Sequence, residues 1–138
     1  MNSDRPSCSS RARSTSSGSV SRQISNQNGE VTISFAYRTA DAAGFDNLGL
    51  YDGDGSDFGA VVGTDNGEWI YYESSAPTQS GVAVSSDTWY LVRVAIDLNA
   101  DTYSIYVDGT AIATGINLNN AANVGEMGQL ELTGNGVG

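Results

Sequence analysis

From Glu30 onward the chain alternates. In EVTISFAYR, residues 30–38, Val31, Ile33, Phe35 and Tyr37 fall on one side while Thr32, Ser34, Ala36 and Arg38 fall on the other. A period of two marks a strand with one buried and one wet face, and a slip of one residue would turn every apolar side chain to water. The period recurs down the chain, whereas no segment repeats apolar residues at i, i+3, i+4 and i+7 for even three helical turns. Shorter apolar runs follow at DNLGLYD (46–52), DFGAVVG (57–63) and GEWIYYE (67–73), each bounded by Gly, Asp or Asn.

The strongest pattern lies in DTWYLVRVAIDLNADTYSIYVDGTAIATG, residues 87–115. Tyr90, Val92, Val94 and Ile96 form one apolar face; after a turn at residues 98–101, Tyr103, Ile105 and Val107 form another. Asp108-Gly109 is a preferred two-residue reversal, because both positions need positive φ, and TAIATG then runs back as a third strand. Trp89, at a strand start, is expected in the core. QLELTG (129–134) supplies a last strand, with Leu130 and Leu132 on one face. About eight short strands with turn residues between them, and seventeen Gly to make the turns, predict an all-β fold: an antiparallel β-sandwich or barrel.

A chain of 138 residues supports one such domain. Its residues 1–24 are Ser- and Arg-rich with almost nothing apolar, and read as a disordered tail or linker; residues 25–138 read as the sandwich. Residues 1–22 hold four of the six Arg and one acid, a charge of +3, which leaves −13 on the rest of a chain whose net charge is −10. So acidic a body disfavours nucleic acid as a partner, since phosphate contacts need a basic face. The Lys-free, acidic composition fits either adaptation to high salt or a GC-rich genome. No apolar run has the length of a secretory signal core or of a membrane span, so membrane insertion is not expected.

There is no His, which closes off Ser-His-Asp and Cys-His catalysis and removes the commonest zinc ligand. Glu68 and Glu73, like Glu126 and Glu131, are five apart and fall on opposite faces of a regular strand, a poor arrangement for an acid–nucleophile pair. Catalytic residues are therefore not expected.

Two groups of side chains remain as candidate sites. In YDGDGSDFG, Asp52, Asp54 and Ser56 have the spacing of the first three oxygen ligands of a calcium loop, with Asp57 adjacent. The loop then departs from that pattern, because Asp57 stands at the sixth position where Gly belongs and Gly63 at the twelfth where Glu belongs. The competing reading is a hairpin turn whose Asp residues cap backbone amides. The second group is aromatic. Trp69 and Tyr71 share one face of EWIYYE and Ile70 and Tyr72 the other; with Ile70 taken as the better core residue, Trp69 and Tyr71 are expected outside as a sugar-stacking surface. Arg93 is expected on the wet face of its strand, opposite Val92 and Val94. The competing reading is that these rings cover the sandwich interior.

Residues 87–109, with Trp89 opening WYLVRVAID and the TYSIYVDG that follows, resemble the concanavalin A-like jelly-roll domains, in particular laminin-G-like modules. The likeness extends over about residues 25–132 in rhythm, while only the meander is specific. It implies a jelly-roll sandwich acting as a non-catalytic, lectin-like module of a larger extracellular or cell-surface protein, with a glycan or polysaccharide as partner. It also implies that a calcium ion (Ca2+) at Asp52, Asp54 and Asp57 would sit at a loop tip beside the ligand face. Glycosidases of this class carry E-x-D-x-x-E on one strand, and this sequence lacks that triplet. Such domains end in a further strand beside the first, which TGNGVG does not supply, so the resemblance implies a piece of a longer protein with one sheet edge unpaired. A structural or adhesive domain and a fragment of a polysaccharide-active enzyme are the alternatives.

Overall fold

A computed structural model describes residues 18–134, and among these residues the alternation becomes ten strands and no helix. In chain order they are β1 (Gly18–Gln27), β2 (Glu30–Tyr37), β3 (Asp46–Tyr51), β4 (Phe58–Asp65) and β5 (Glu68–Glu73), then β6 (Ala76–Ala83), β7 (Tyr90–Asp97), β8 (Thr102–Val107), β9 (Thr110–Asn117) and β10 (Met127–Gly134). Six form one sheet in the order β1-β10-β3-β4-β5-β6, and four form the other in the order β2-β7-β8-β9. Neighbouring strands are antiparallel throughout.

The apolar sets assigned from the period meet between the sheets. Val31 of β2, Val92, Val94 and Ile96 of β7, and Tyr103, Ile105 and Val107 of β8 line the four-stranded side; Leu50, Ala60, Val62, Trp69 and Met127 line the six-stranded side. Burying a large apolar side chain contributes roughly 1.5–3 kcal/mol, so this interior is the main source of stability. At the β8–β9 reversal Asp108 and Gly109 have φ of 49° and 81°, the left-handed pair that the dipeptide predicts.

Hydroxyl and amide groups tie the sheets together at both ends. At one end Tyr37 Oη lies 2.8 Å from Thr64 Oγ1 and donates to Asp46 Oδ2 at 3.1 Å, where Thr39 Oγ1 also donates. At the other, β4 and β5 separate beyond the Val62–Tyr71 pair. The carbonyls freed there are taken up by Tyr103 Oη, which donates to Tyr72 and to Val61, and by the buried Asn119 side chain, which donates to Gly59 and Tyr72.

Two expectations change. A last strand does lie beside the first, because β10, ending at Gly134, pairs antiparallel with β1. The tail assigned to residues 1–24 gives up residues 18–24 to β1, and residues 1–17 lie outside the described residues. β1 reads as polar because it is an edge strand, held by its ladder to β10 rather than by an apolar face. β6, APTQSGVA, was equally illegible in the sequence: it is largely exposed, carries Pro77, and bounds the same sheet on the other side.

Candidate ligand-binding faces

The acidic loop at residues 52–57 is the turn of the β3–β4 hairpin. Asp52 N–H donates to the Asp57 carbonyl at 2.9 Å and Gly55 N–H to the Asp52 carbonyl at 3.1 Å. Asp52 Oδ1 accepts from the amides of Ser56 (2.8 Å) and Asp57 (3.2 Å), Asp52 Oδ2 from Ser56 Oγ (3.2 Å), and Asp54 Oδ1 from Ser56 N–H (2.9 Å). Hydrogen bonding from Ser56 holds the Asp54 carboxyl below its usual range. The turn thus brings Asp52 and Asp54 together around Ser56 and engages Asp57 through its backbone. Among the described residues no three His, Cys, Asp or Glu side chains converge as a metal-binding group.

The expected outward Trp69 and Tyr71 platform is overturned. Trp69 is 1% exposed and stands between the sheets, its ring 5.4 Å from that of Tyr37 and 5.3 Å from that of Tyr90, perpendicular to the latter. Tyr71 packs against the same core. The large flat indole fills the gap between two tyrosines, which a β-branched side chain would leave partly empty. Ile70, taken for the core residue, points the other way and lies outside the core cluster, yet is 0% exposed. The hairpin register could have revealed this: Asp65 pairs with Glu68 across a two-residue turn, which sets Trp69 against Thr64 and Tyr71 against Val62. With Val61 and Val62 both apolar, the sequence leaves that parity ambiguous.

On the outward side of the six-stranded sheet the register collects a different aromatic group. Tyr51 ends β3, Phe58 begins β4 and Tyr72 lies on β5. The ring centroids of Tyr51 and Phe58 are 6.1 Å apart at 64°, and those of Phe58 and Tyr72 6.1 Å apart at 87°. A β-bulge makes this possible. Leu50 pairs with Ala60 but Tyr51 with Phe58, so Gly59 is the extra residue and Phe58 turns to the side of Tyr51. A Cβ on Gly59 would stand 2.7 Å from Met127 Cε and 3.2 Å from Val124 Cγ1, so a side chain at this position of the bulge would require the buried Met127 side chain to shift.

All three rings are half-buried. By register the same face carries Asn47, Asp65, Glu68, Gln79, Gln129 and Glu131. Burial, then the charge of Glu131, raises the Tyr51 hydroxyl above its ordinary range, and burial, then Asp65, raises that of Tyr72. The 52–57 turn adjoins this face, since a side chain on Gly55 would strike Gln129.

Arg93 lies on the wet face of its strand, as expected, with its guanidinium carbon 4.0 Å from the centroid of Tyr106. That face belongs to the four-stranded sheet, so Arg93 does not share a surface with the aromatic trio. Trp89 is the second correction. It is 66% exposed rather than buried, beside Leu91 at 58%, with the Arg38 guanidinium 6.0 Å from its ring centroid and paired to Asp87 at 2.8 Å. Tyr90, the next residue, takes the inward position against Trp69, and alternation sends Trp89 outward.

No protein-family model and no curated protein sequence matches the chain. Solved structures do match its fold. A sialidase superposes with a TM-score of 0.73 at 17% identity, covering 86% of this chain but 10% of the sialidase. Domains LG4-5 of the mouse laminin alpha1 chain superpose at 0.57 and 15% identity, covering 86% of this chain and 32% of that one. A tetrameric galectin from the ball sponge Cinachyrella sp. superposes at 0.56 and 14% identity, covering 85% and 87%. This chain therefore spans a small part of the first two and nearly the whole length of the third. Two facing antiparallel sheets with these structural neighbours make the chain a β-sandwich of the concanavalin A-like jelly-roll fold.

Proposed function

We propose that the chain is a non-catalytic carbohydrate-binding module of a larger extracellular protein, and that the sugar lies on the outward face of the six-stranded sheet, against Tyr51, Phe58 and Tyr72. The observation that carries this reading is the contact of three half-exposed rings with one another on a sheet face bordered by carboxylates and carboxamides. Sugars present an apolar C–H face to an aromatic ring and hydroxyls to neighbouring acceptors and donors, and this face offers both. Rings held by edge contacts and by the sheet beneath them lose little freedom on binding.

Charge narrows the ligand. Asp65, Glu68 and Glu131 lie on this face, while Arg93 is on the other sheet, Arg38 follows the end of β2 in that sheet, and Arg22 pairs with Leu130, whose side chain points inward. The surface repels anions, so the ligand is a neutral glycan rather than a sialylated or sulfated one. A glycan array with both classes tests this. Retention of neutral glycans, weakened in Tyr51→Ala and Tyr72→Ala, supports the site; retention by sulfated glycans alone, or binding unchanged in both variants, overturns it.

A further inference from the structure

We propose that the edge of β2 that is unpaired among the described residues pairs antiparallel with β2 of a second copy of this chain, about a two-fold axis through Ser34. An edge strand offers unpaired amides and carbonyls to any extended chain, and sheets blunt their edges with bulges, Pro or irregular pairing. Three of the four edges among the described residues are blunted in this way. β1 shifts register between Gln23 and Gln27; β6 shifts opposite Glu68–Ile70 and carries Pro77; β9 shifts twice. β2 has none of these devices: its eight residues pair one for one with β7, from Glu30–Asp97 to Tyr37–Tyr90.

The register of self-pairing follows from hydrogen-bond phase and charge. Leu98 N–H donates to the Gly29 carbonyl at 2.9 Å, which puts the odd-numbered residues of this strand in the hydrogen-bonded pairs with β7. The N–H and C=O groups of Glu30, Thr32, Ser34 and Ala36 therefore point to the open side. Two copies centred on Ser34 bring these even positions opposite one another, Thr32 to Ala36, and set Glu30 of each copy opposite Arg38 of the other. Both residues are exposed, and the pairing occurs twice by symmetry. On the inner side Val31 meets Tyr37 and Ile33 meets Phe35, so Ile33, Phe35 and Tyr37, which are only partly buried at the sheet edge, gain apolar neighbours. On the outer side the second copy's Thr32 stands opposite the exposed Ala36. The two four-stranded sheets become one of eight strands, and both six-stranded faces remain open on the same side.

Sedimentation velocity of the full chain, from micromolar to several hundred micromolar, tests the pairing. The expected result is a shift from monomer to dimer with concentration. Glu30→Arg places Arg opposite Arg38 twice and should weaken dimerisation roughly tenfold, while Glu30→Arg with Arg38→Glu restores the opposite charges and the affinity to within about threefold. Ser34→Pro removes an outward N–H without touching the β7 ladder and should abolish the dimer; circular dichroism reports whether that variant folds, and the charge pair decides if it does not. Amides 30, 32, 34 and 36 should gain exchange protection as concentration rises. A monomer at every concentration, a dimer indifferent to the charge reversals, or amides protected even at high dilution because another segment covers the edge, would each overturn the proposal.

Discussion

Tyr103 of β8 donates its hydroxyl across the sandwich to the backbone carbonyl of Tyr72 on β5, and so joins the two sheets at the point where β4 and β5 part. The same carbonyl accepts from Asn119 Nδ2 at 3.0 Å. A core side chain of one sheet thus fixes the backbone beneath an aromatic residue on the far surface of the other.

Tyr103→Phe is expected to lower unfolding stability by about 1–3 kcal/mol, because the buried Val61 carbonyl loses its phenolic donor and the Tyr72 carbonyl keeps one donor instead of two. Urea denaturation measures it. A loss below a few tenths of a kcal/mol would show that the hydroxyl does not tie the sheets.

Stability should fall in alkali. Burial raises the Tyr37 hydroxyl from its usual value of 10.0 to about 12, and burial raises that of Tyr103 further. Between those values the unfolded chain releases the Tyr37 proton while the folded chain retains it. The contribution is complete below pH 10.0 and is lost as pH rises to about 12. For Tyr37 alone the loss is on the order of 2–3 kcal/mol. Tyr37→Phe should flatten this part of the stability–pH curve, as read by denaturant midpoints.

Gly59→Ala should destabilise by about 1–3 kcal/mol and disturb the aromatic trio together with the core, because the new methyl collides with Met127 at the bulge that sets Phe58 facing outward. If the variant melts like the parent, this bulge does not need glycine.

Asp52→Ala removes the acceptor of two turn amides and should cost about 1 kcal/mol, the same with and without calcium, as thermal melts in each condition would register. A millimolar-calcium stabilisation that disappears in Asp52→Ala would instead assign an ion to the turn.

Among single ring deletions, Tyr51→Ala and Tyr72→Ala should each weaken neutral-glycan binding about 3- to 10-fold. Trp89→Ala, on the other sheet, should leave it unchanged. Isothermal titration with an array-selected glycan distinguishes them, and a larger effect at Trp89 would move the ligand to the four-stranded face.

Local physics alone determined much of this protein. Alternation in 30–38 and 87–115 set the strands and their wet faces, and Asp108-Gly109 set a reversal, because each follows from side-chain parity or backbone sterics over a few residues. Tertiary structure decided the rest. Polar β1 and β6 are strands because neighbours hold their backbones, a stabilisation that composition does not carry. The face of EWIYYE turned on the space between Tyr37 and Tyr90, so Trp69 went between the sheets and Ile70, though buried, to the opposite face of its strand. A one-residue bulge at Gly59, invisible to a period-two reading, brought Phe58 beside Tyr51 and Tyr72. Parity in a strand is a local property, but which parity faces the partner sheet depends on volumes supplied from elsewhere in the chain.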